Sequence, residues 1–272
     1  MNKQGIDVSY CQPKVDWQKV KSDGIDFAII RIGYCYNNGA LKLDSAFTQH
    51  IKGALAAGLD VGIYLYSYAT TVQAAKRAAQ EVIKAVKPYK LSYPIAFDIE
   101  YESIYTGGNK QTNTDICKAF LDEIEAAGYY AMLYCSKDFL DNYLYPAQLT
   151  AYDKWIAQYA SKCTCKHPYG IWQYTGTGKV NGINGNVDRD ISYKDYPTII
   201  AKMNKQQNPQ KFKLPYTVIV SNGNVQELSK RGYFAFTSEN KCCVGKFATQ
   251  QEAEITQKDL VAKGYSCNVG RW

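Results

Sequence analysis

The feature that most constrains this chain is a repeated alternation of apolar runs with helix-like segments. "IDFAIIRIGY" (25–34), "DVGIYLYSYA" (60–69), "YPIAFDIE" (93–100), "YAMLYCS" (130–136), "KWIAQYA" (154–160) and "YGIWQYT" (169–175) read as strands, and "GIDVSY" (5–10) as a short strand and turn. Between them, "DSAFTQHIKGALAAGL" (44–59) repeats Phe47, Ile51, Leu55 and Leu59 at helical spacing. "TVQAAKRAAQEVIKAVK" (71–87) is a helix opened by a Thr cap, and "TNTDICKAFLDEIEAAGY" (112–129) one closed by Gly128. His50 lies on the first of these helices and is expected at its surface. Such alternation predicts an α/β fold with a parallel sheet. At this length a barrel and an open sheet both fit. The helical pattern fades after residue 145, so the later part reads as β-rich and irregular.

A change of composition follows. "AKMNKQQNPQKFKLP" (201–215) is rich in Lys, Gln, Asn and Pro and reads as a linker. Beyond it come a strand (216–222), a short helix (224–232) and two strands about a Ser-Glu-Asn turn. A helix capped by Thr249 and stopped by Gly264 and a last strand complete a βαββαβ unit. The expected organisation is a domain over 1–200, a linker over 201–215 and a small α+β domain over 216–272. Residues 1–200 carry 21 Lys and Arg against 20 Asp and Glu, whereas residues 201–272 carry 11 against 5. A basic end suits an anionic polymer such as a cell wall or nucleic acid, or simply solubility.

No run approaches the roughly 20 apolar residues of a membrane span, so no membrane insertion is expected. "MNKQGIDVSY" lacks the apolar core of a secretory signal. With 9 cysteines, an odd count, several of them in apolar runs, the expectation is reduced thiols in a cytoplasm.

"YPIAFDIEYE" places Asp98, Glu100 and Glu102 where a hydrophobic strand emerges. On a strand, residues two apart share a face, so Asp98 and Glu100 are neighbours about 6–7 Å apart along it. Close acids raise each other's proton affinity, so that one stays protonated while the other is ionised. Glycosidic cleavage needs that pair. Alone, a D-x-E spacing is as compatible with a solvated strand end. Asp7, in "GIDVS", and Asp188, in "GNVDRD", also follow apolar residues at strand ends, although each could be a turn residue.

Rival chemistries find less. The chain has 2 His, at 50 and 167, and "KHPYG" offers His167 no obvious partner for a nucleophile triad. "CTCKH" (163–167) has C-x-C rather than C-x-x-C spacing and reads as a loop, so no metal is expected. No phosphate-binding glycine motif appears, and no cofactor is expected. The 24 Tyr and 4 Trp suit sugar stacking as well as packing. Alternation puts Tyr64, Tyr66 and Tyr68 on one strand face, and "GIWQYTGTG" adds Trp172 and Tyr174.

In order along residues 4 to about 200, "GIDVSYCQPKVDW", "FAIIRIGY", "DSAF", "AAGLDVGIYLYSYA", "YPIAFDIE", "AAGYYAMLYCS", "WIAQY" and "GIWQYTGTGKVNGINGNVDRD" resemble glycoside hydrolase family 25, the Chalaropsis-type muramidases. The resemblance implies an irregular, flattened β/α barrel and cleavage of the β-1,4 bond between N-acetylmuramic acid and N-acetylglucosamine. It implies Glu100 as general acid and Asp98 as second carboxylate. Asp7 and Asp188 match further acids of the groove and Tyr64 an active-site aromatic. Tyr66, Arg31 and Trp172 fall at groove-side strand positions. Retention through the sugar's 2-acetamido group, a direct Asp98 nucleophile and an inverting water all stay open. The family often reads V-D-x-N where this chain has Val187, Asp188, Arg189 and Asp190, which adds a charge near the site.

Residues 216–272 resemble SPOR-type peptidoglycan-binding modules more loosely, through "VGKFATQQEAEITQKDLVAKGYSCNV". The expected partner is therefore bacterial peptidoglycan, not nucleic acid; oligomeric state stays open. The resemblance and the absent leader together imply a phage-type endolysin, held in the host cytoplasm until lysis and then acting on the wall. The alternatives are a bacterial lysin secreted by a non-classical route, a non-catalytic wall-glycan binder on the same scaffold, or a barrel hydrolase of another amino-sugar polymer such as chitin.

Overall fold

The computed structural model describes residues 2–101, 109–207, 216–231, 233–238, 241–247 and 250–271. They fall into two units, Met1–Asn204 and Lys205–Trp272. The first unit opens with β1 (Lys3–Val8), α1 (Trp17–Ser22) and β2 (Phe27–Cys35), followed by β3 (Leu41–Leu43), α2 (Phe47–Ala56), β4 (Asp60–Ser67) and α3 (Val72–Val86). Next come β5 (Ile95–Asp98), α4 (Lys110–Ala126), β6 (Ala131–Ser136), α5 (Lys137–Tyr143) and a 3₁₀ turn (Pro146–Leu149). It closes with β7 (Asp153–Ala157), β8 (Ile171–Gly178), β9 (Val187–Ser192) and α6 (Tyr196–Gln207).

The strands close on themselves. β1, β2, β4, β5, β6, β7 and β8 run parallel in that order. β9 fits antiparallel between β8 and β1 and completes an eight-stranded barrel. β3 is an antiparallel appendage on β2. The barrel resolves the choice between closed and open sheets that periodicity left standing.

The central strands β2, β5 and β6 are buried on both faces along most of their length, as a helix-covered sheet requires. The outward residues of β5, Ile95 and Phe97, join the core beneath the helices. Thr71 caps α3 by accepting the Ala74 N–H at 3.1 Å. The buried face of α3 is mostly Ala (74, 75, 78 and 79), which lets the helix lie close to its neighbours.

Inside the barrel, a second core gathers Phe27, Ile29, Tyr93, Met132, Trp155, Tyr196 and Ile200. Phe27 and Tyr93 stack at 4.3 Å, 12° from parallel. That pair fits because Gly5 lacks a side chain: a Cβ there would sit 2.1 Å from the Phe27 ring. Tyr196 closes the N-terminal end of the barrel. Its hydroxyl and that of Tyr130 donate to Asp153 Oδ2 at 3.0 and 2.7 Å.

Several elements depart from the sequence reading. Residues 201–207, expected as linker, continue α6; the buried Tyr196 and Ile200 anchor it, and Lys and Gln are good helix formers. Residues 208–215 and Thr249 lie outside the described residues. α1, β3, α5 and β9 had no clear periodic signal; α1 and α5 are short helices of 6 and 7 residues capped by Asp16 and Ser136. His50 is buried, not on the surface. It lies one turn past Phe47, its ring is edge-on to Trp17 at 5.7 Å, and Nε2 meets the Ser9 carbonyl at 3.2 Å. Burial lowers its proton affinity and keeps it neutral. His167 is in a loop as expected, but it has a partner, Asp141, at 3.3 Å.

The second unit comprises β10 (Tyr216–Val220), α7 (Val225–Lys230), β11 (Ala235–Ser238), β12 (Lys241–Phe247), α8 (Gln250–Ala262) and β13 (Cys267–Arg271). Its sheet is antiparallel in the order β11-β12-β10-β13. Val218, Val220 and Val244 meet Leu228 of α7 and Ala253 and Leu260 of α8 in its core. This is the βαββαβ unit read from the sequence.

Candidate active site

Parallel barrels place their functional groups where strands end. Here the carboxyl ends of the strands surround a cleft of about 260 Å³. Asp7 enters it from β1, Arg31 from β2, Tyr64 and Tyr66 from β4, and Asp98 from the last position of β5. Glu100 and Asp188 complete the acidic lining. Strand register explains the convergence: Tyr66 pairs with Asp98, Asp98 with Tyr134 and Tyr134 with Trp155, so four neighbouring strands send side chains inward at one level. Likewise Asp7 faces Asp188 across β1 and β9.

The strand is shorter than its sequence indicates. β5 stops at Asp98, and Glu100 lies just beyond it, partly buried, yet reaches the same cleft. Glu102 lies outside the described residues. Asp98 is 3% exposed, and its Oδ1 finds no hydrogen-bond partner among the described residues. Burial, then the neighbouring Glu100, push its carboxyl well above the usual range, against the pull of Arg31. That pull is blunted because Arg31 is already engaged. Its Nε donates to Asp44 Oδ2 at 2.7 Å, Nη2 pairs with the same oxygen at 2.7 Å, and its guanidinium lies over the Tyr10 ring at 4.5 Å.

Asp7 is held from the opposite wall. Gln173 Nε2 donates to Asp7 Oδ2 at 2.8 Å. The Tyr134 and Tyr159 hydroxyls both donate to Gln173 Oε1, at 3.0 and 3.1 Å, which fixes the amide with its N–H toward Asp7. Burial and the nearby Asp190 and Asp188 raise the Asp7 carboxyl well above its ordinary range. Asp188 is raised chiefly by burial, with a Tyr159 hydrogen bond at 3.4 Å opposing.

Trp172 does not reach the cleft. On β8, Ile171 and Gln173 turn inward, so Trp172 between them points the other way, and its Nε1 donates to the Gln158 carbonyl at 2.8 Å. The polar contact from β8 is Gln173. Sequence reading missed Gln173, Tyr134, Trp155 and Tyr159; alternation along β8 could have singled out Gln173 once one inward neighbour was known. A second hollow of about 650 Å³ adjoins the cleft and shares Arg31 and Tyr66 with it. Tyr10, Tyr34, Tyr36 and Tyr68 form its walls. Among the described residues, no cluster of three or more His, Cys, Asp and Glu could hold a metal ion.

An eight-stranded β/α barrel with paired carboxyls and tyrosines at its strand ends defines a protein of the barrel glycosidase class. More narrowly, the chain belongs to the glycosyl hydrolases family 25, whose family model matches residues 6–183. The autolytic lysozyme of Clostridium acetobutylicum is 27% identical over 188 residues, 69% of this chain and 55% of that protein. The modular autolysin LytC from Streptococcus pneumoniae has 30% identity and a TM-score of 0.62, over 71% of this chain and 47% of that one. A further LytC structure, 31% identical over the same shares with a TM-score of 0.62, is in complex with a synthetic peptidoglycan ligand. The catalytic domain of an endolysin from a Listeria monocytogenes bacteriophage shares the fold, with 24% identity and a TM-score of 0.61 over 74% of this chain and 97% of that one. This chain spans about half the length of the autolytic lysozyme and of LytC.

Proposed function

We propose that the chain is a peptidoglycan hydrolase, an N-acetylmuramidase that cleaves the β-1,4 bond between N-acetylmuramic acid and N-acetylglucosamine. The observation that carries this reading is the convergence of Asp98 and Glu100 on one cleft at the barrel mouth, with Asp7 and Asp188 opposite. The peptidoglycan complex of LytC supports the substrate.

In this reading Glu100, the less buried of the pair, protonates the departing sugar oxygen, and Asp98 answers the positive charge that develops on the ring. Burial and the neighbouring Glu100 disfavour an ionised Asp98. A cationic transition state supplies a counter-charge that Arg31, committed to Asp44, does not give Asp98, so the interaction strengthens as the cation develops, and only such interactions accelerate chemistry. The unpartnered Asp98 Oδ1 is also an acceptor placed for an N–H of the sugar's acetamido group. Arg31, Tyr64 and Tyr66 contact the sugar, and the tyrosine-walled hollow beside them extends the groove for the next residues of the strand.

The C-terminal unit serves as the wall-binding module, supported by its own core and by the excess of Lys and Arg over residues 201–272. The setting is that of an endolysin, cytoplasmic until the membrane opens; likeness to an endolysin catalytic domain supports it, and autolysins are among the relatives too. One comparison tests the reading. Glu100→Gln lowers turnover of purified walls by about 10²–10⁴-fold with its circular dichroism unchanged. Inside a Gram-positive host, the wild type clears the culture only once the membrane is permeabilised, and the variant never does. Wall lysis by Glu100→Gln at the wild-type rate sinks the enzymatic assignment. Fragments lacking a muramic acid reducing end point to another glycan.

A further inference from the structure

Asp190 does not line the cleft but is buried behind its wall, an acid that the mechanism above leaves without a task. It is fully buried on β9, directly across from Gly5 on one side and Gln173 on the other. The indole N–H of Trp155 reaches its Oδ1 at 2.7 Å. Its Oδ2, equally buried, has no N–H or hydroxyl donor among the described residues. The carboxyl of Asp7 is its neighbour: β1 and β9 pair with Gly5 opposite Asp190 and Asp7 opposite Asp188, so Asp7 and Asp190 are diagonal on one face, close enough for the two carboxyls to interact. Asp7 has one donor of its own, Gln173. Two buried carboxyls in contact, each with a neutral donor on one oxygen, are held together by a proton or driven apart by two like charges.

We propose that Asp190 is a positioning residue that acts through Asp7: the two carboxyls hold one proton between them, and that hydrogen bond fixes Asp7 in the cleft wall. The positioning role rests on the reading of this cleft as the glycan site; the shared proton does not. An asparagine at 190 would offer Asp7 an N–H at every pH. An aspartate offers a hydrogen only while the pair keeps its proton.

The surroundings favour keeping it. Asp188 on β9, Tyr64 on β4, Tyr134 on β6 and Tyr159 beyond β7 all lie close enough to Asp7 or Asp188 to feel their charge, and none is a cation. Arg189 adjoins on β9, but alternation sends its side chain to the other face. Arg31, the one cation lining the cleft among the described residues, is committed to Asp44. Burial, chiefly, pushes the Asp190 carboxyl up to about 8. Asp7 is raised well above its ordinary range as well, so the pair keeps a proton through neutrality. The sign follows: a carboxyl whose proton is held more tightly in the folded chain loses that stability as pH rises from the ordinary Asp range, about 4, up to its raised one.

Asp190→Asn tests this with two readouts. Thermal stability against pH needs no activity: the wild type loses midpoint temperature between about pH 5 and 9, and the variant's curve is flatter there. Asp7→Asn, which removes the same shared proton from the other side, flattens it equally, and the double variant adds no more. In wall lysis, the alkaline limb of the Asp190→Asn profile moves up by about one pH unit or more. A stability curve for Asp190→Asn with the wild-type slope overturns the shared proton. A flattened curve with an unmoved alkaline limb overturns the positioning role. If the wild type itself lyses no walls at any pH, the muramidase reading falls, and the positioning role with it. The stability curves then still decide for or against the proton.

Discussion

At the residue scale the cleft is a place where stability is given up. Asp7, Asp98, Asp188 and Asp190 are all held above their ordinary carboxyl range, with burial the first cause in each. Such groups bind protons more tightly folded than unfolded, so the folded state loses ground as pH climbs from the ordinary Asp range near 4 toward neutrality. Asp98 shows this in isolation, because its Oδ1 has nothing to lose by neutralisation. Asp98→Asn is expected to be more stable than wild type by about 1 kcal/mol at pH 7, with the gain shrinking toward pH 4. Denaturant titrations at the two pH values measure it, alongside a collapse of wall lysis. An equal or lower stability at pH 7 contradicts the picture of an uncompensated buried acid.

At the scale of elements, the sequence is a good guide where an element is long and periodic and a poor one where it is short. α3 and α4 were legible because Ala, Val, Ile and Leu recur on one face. β9 was not, because "VDRDIS" alternates an apolar residue with charge only once and owes its place to the gap between β8 and β1. Strand glycines were equally silent. Gly5 opens the short strand read from the sequence, but the reason for a glycine there is tertiary: the Phe27 ring occupies the space of its missing side chain. Gly5→Ala should cost about 2 kcal/mol by overpacking. Adding Phe27→Leu should recover part of that loss, whereas an additive double variant would mean the two positions do not compete for one space.

At the scale of the whole molecule, two units with separate cores divide the labour proposed for them. Tethering a wall-binding module to a hydrolase raises the local concentration of substrate without altering the catalytic cleft. A chain ending at Gln207 is therefore expected to bind purified walls about 10-fold or more weakly in co-sedimentation. Its turnover of soluble glycan fragments should stay close to that of the full chain. Undiminished co-sedimentation would remove the binding role from the C-terminal unit.

The longer strands and helices, the second, smaller unit and the acids at strand ends could be read from the sequence alone, because each is written in local spacing: period 2, period 3.6, or a polar residue closing an apolar run. What closed the sheet, turned Trp172 out and Gln173 in, buried His50 against Trp17 and set Asp190 beside Asp7 was decided only by the tertiary structure. Those outcomes depend on register between strands distant in sequence, and a one-residue slip of register exchanges the inner and outer faces of a strand. Proton affinity follows the same logic: a carboxyl's composition is local, but its desolvation belongs to everything packed around it.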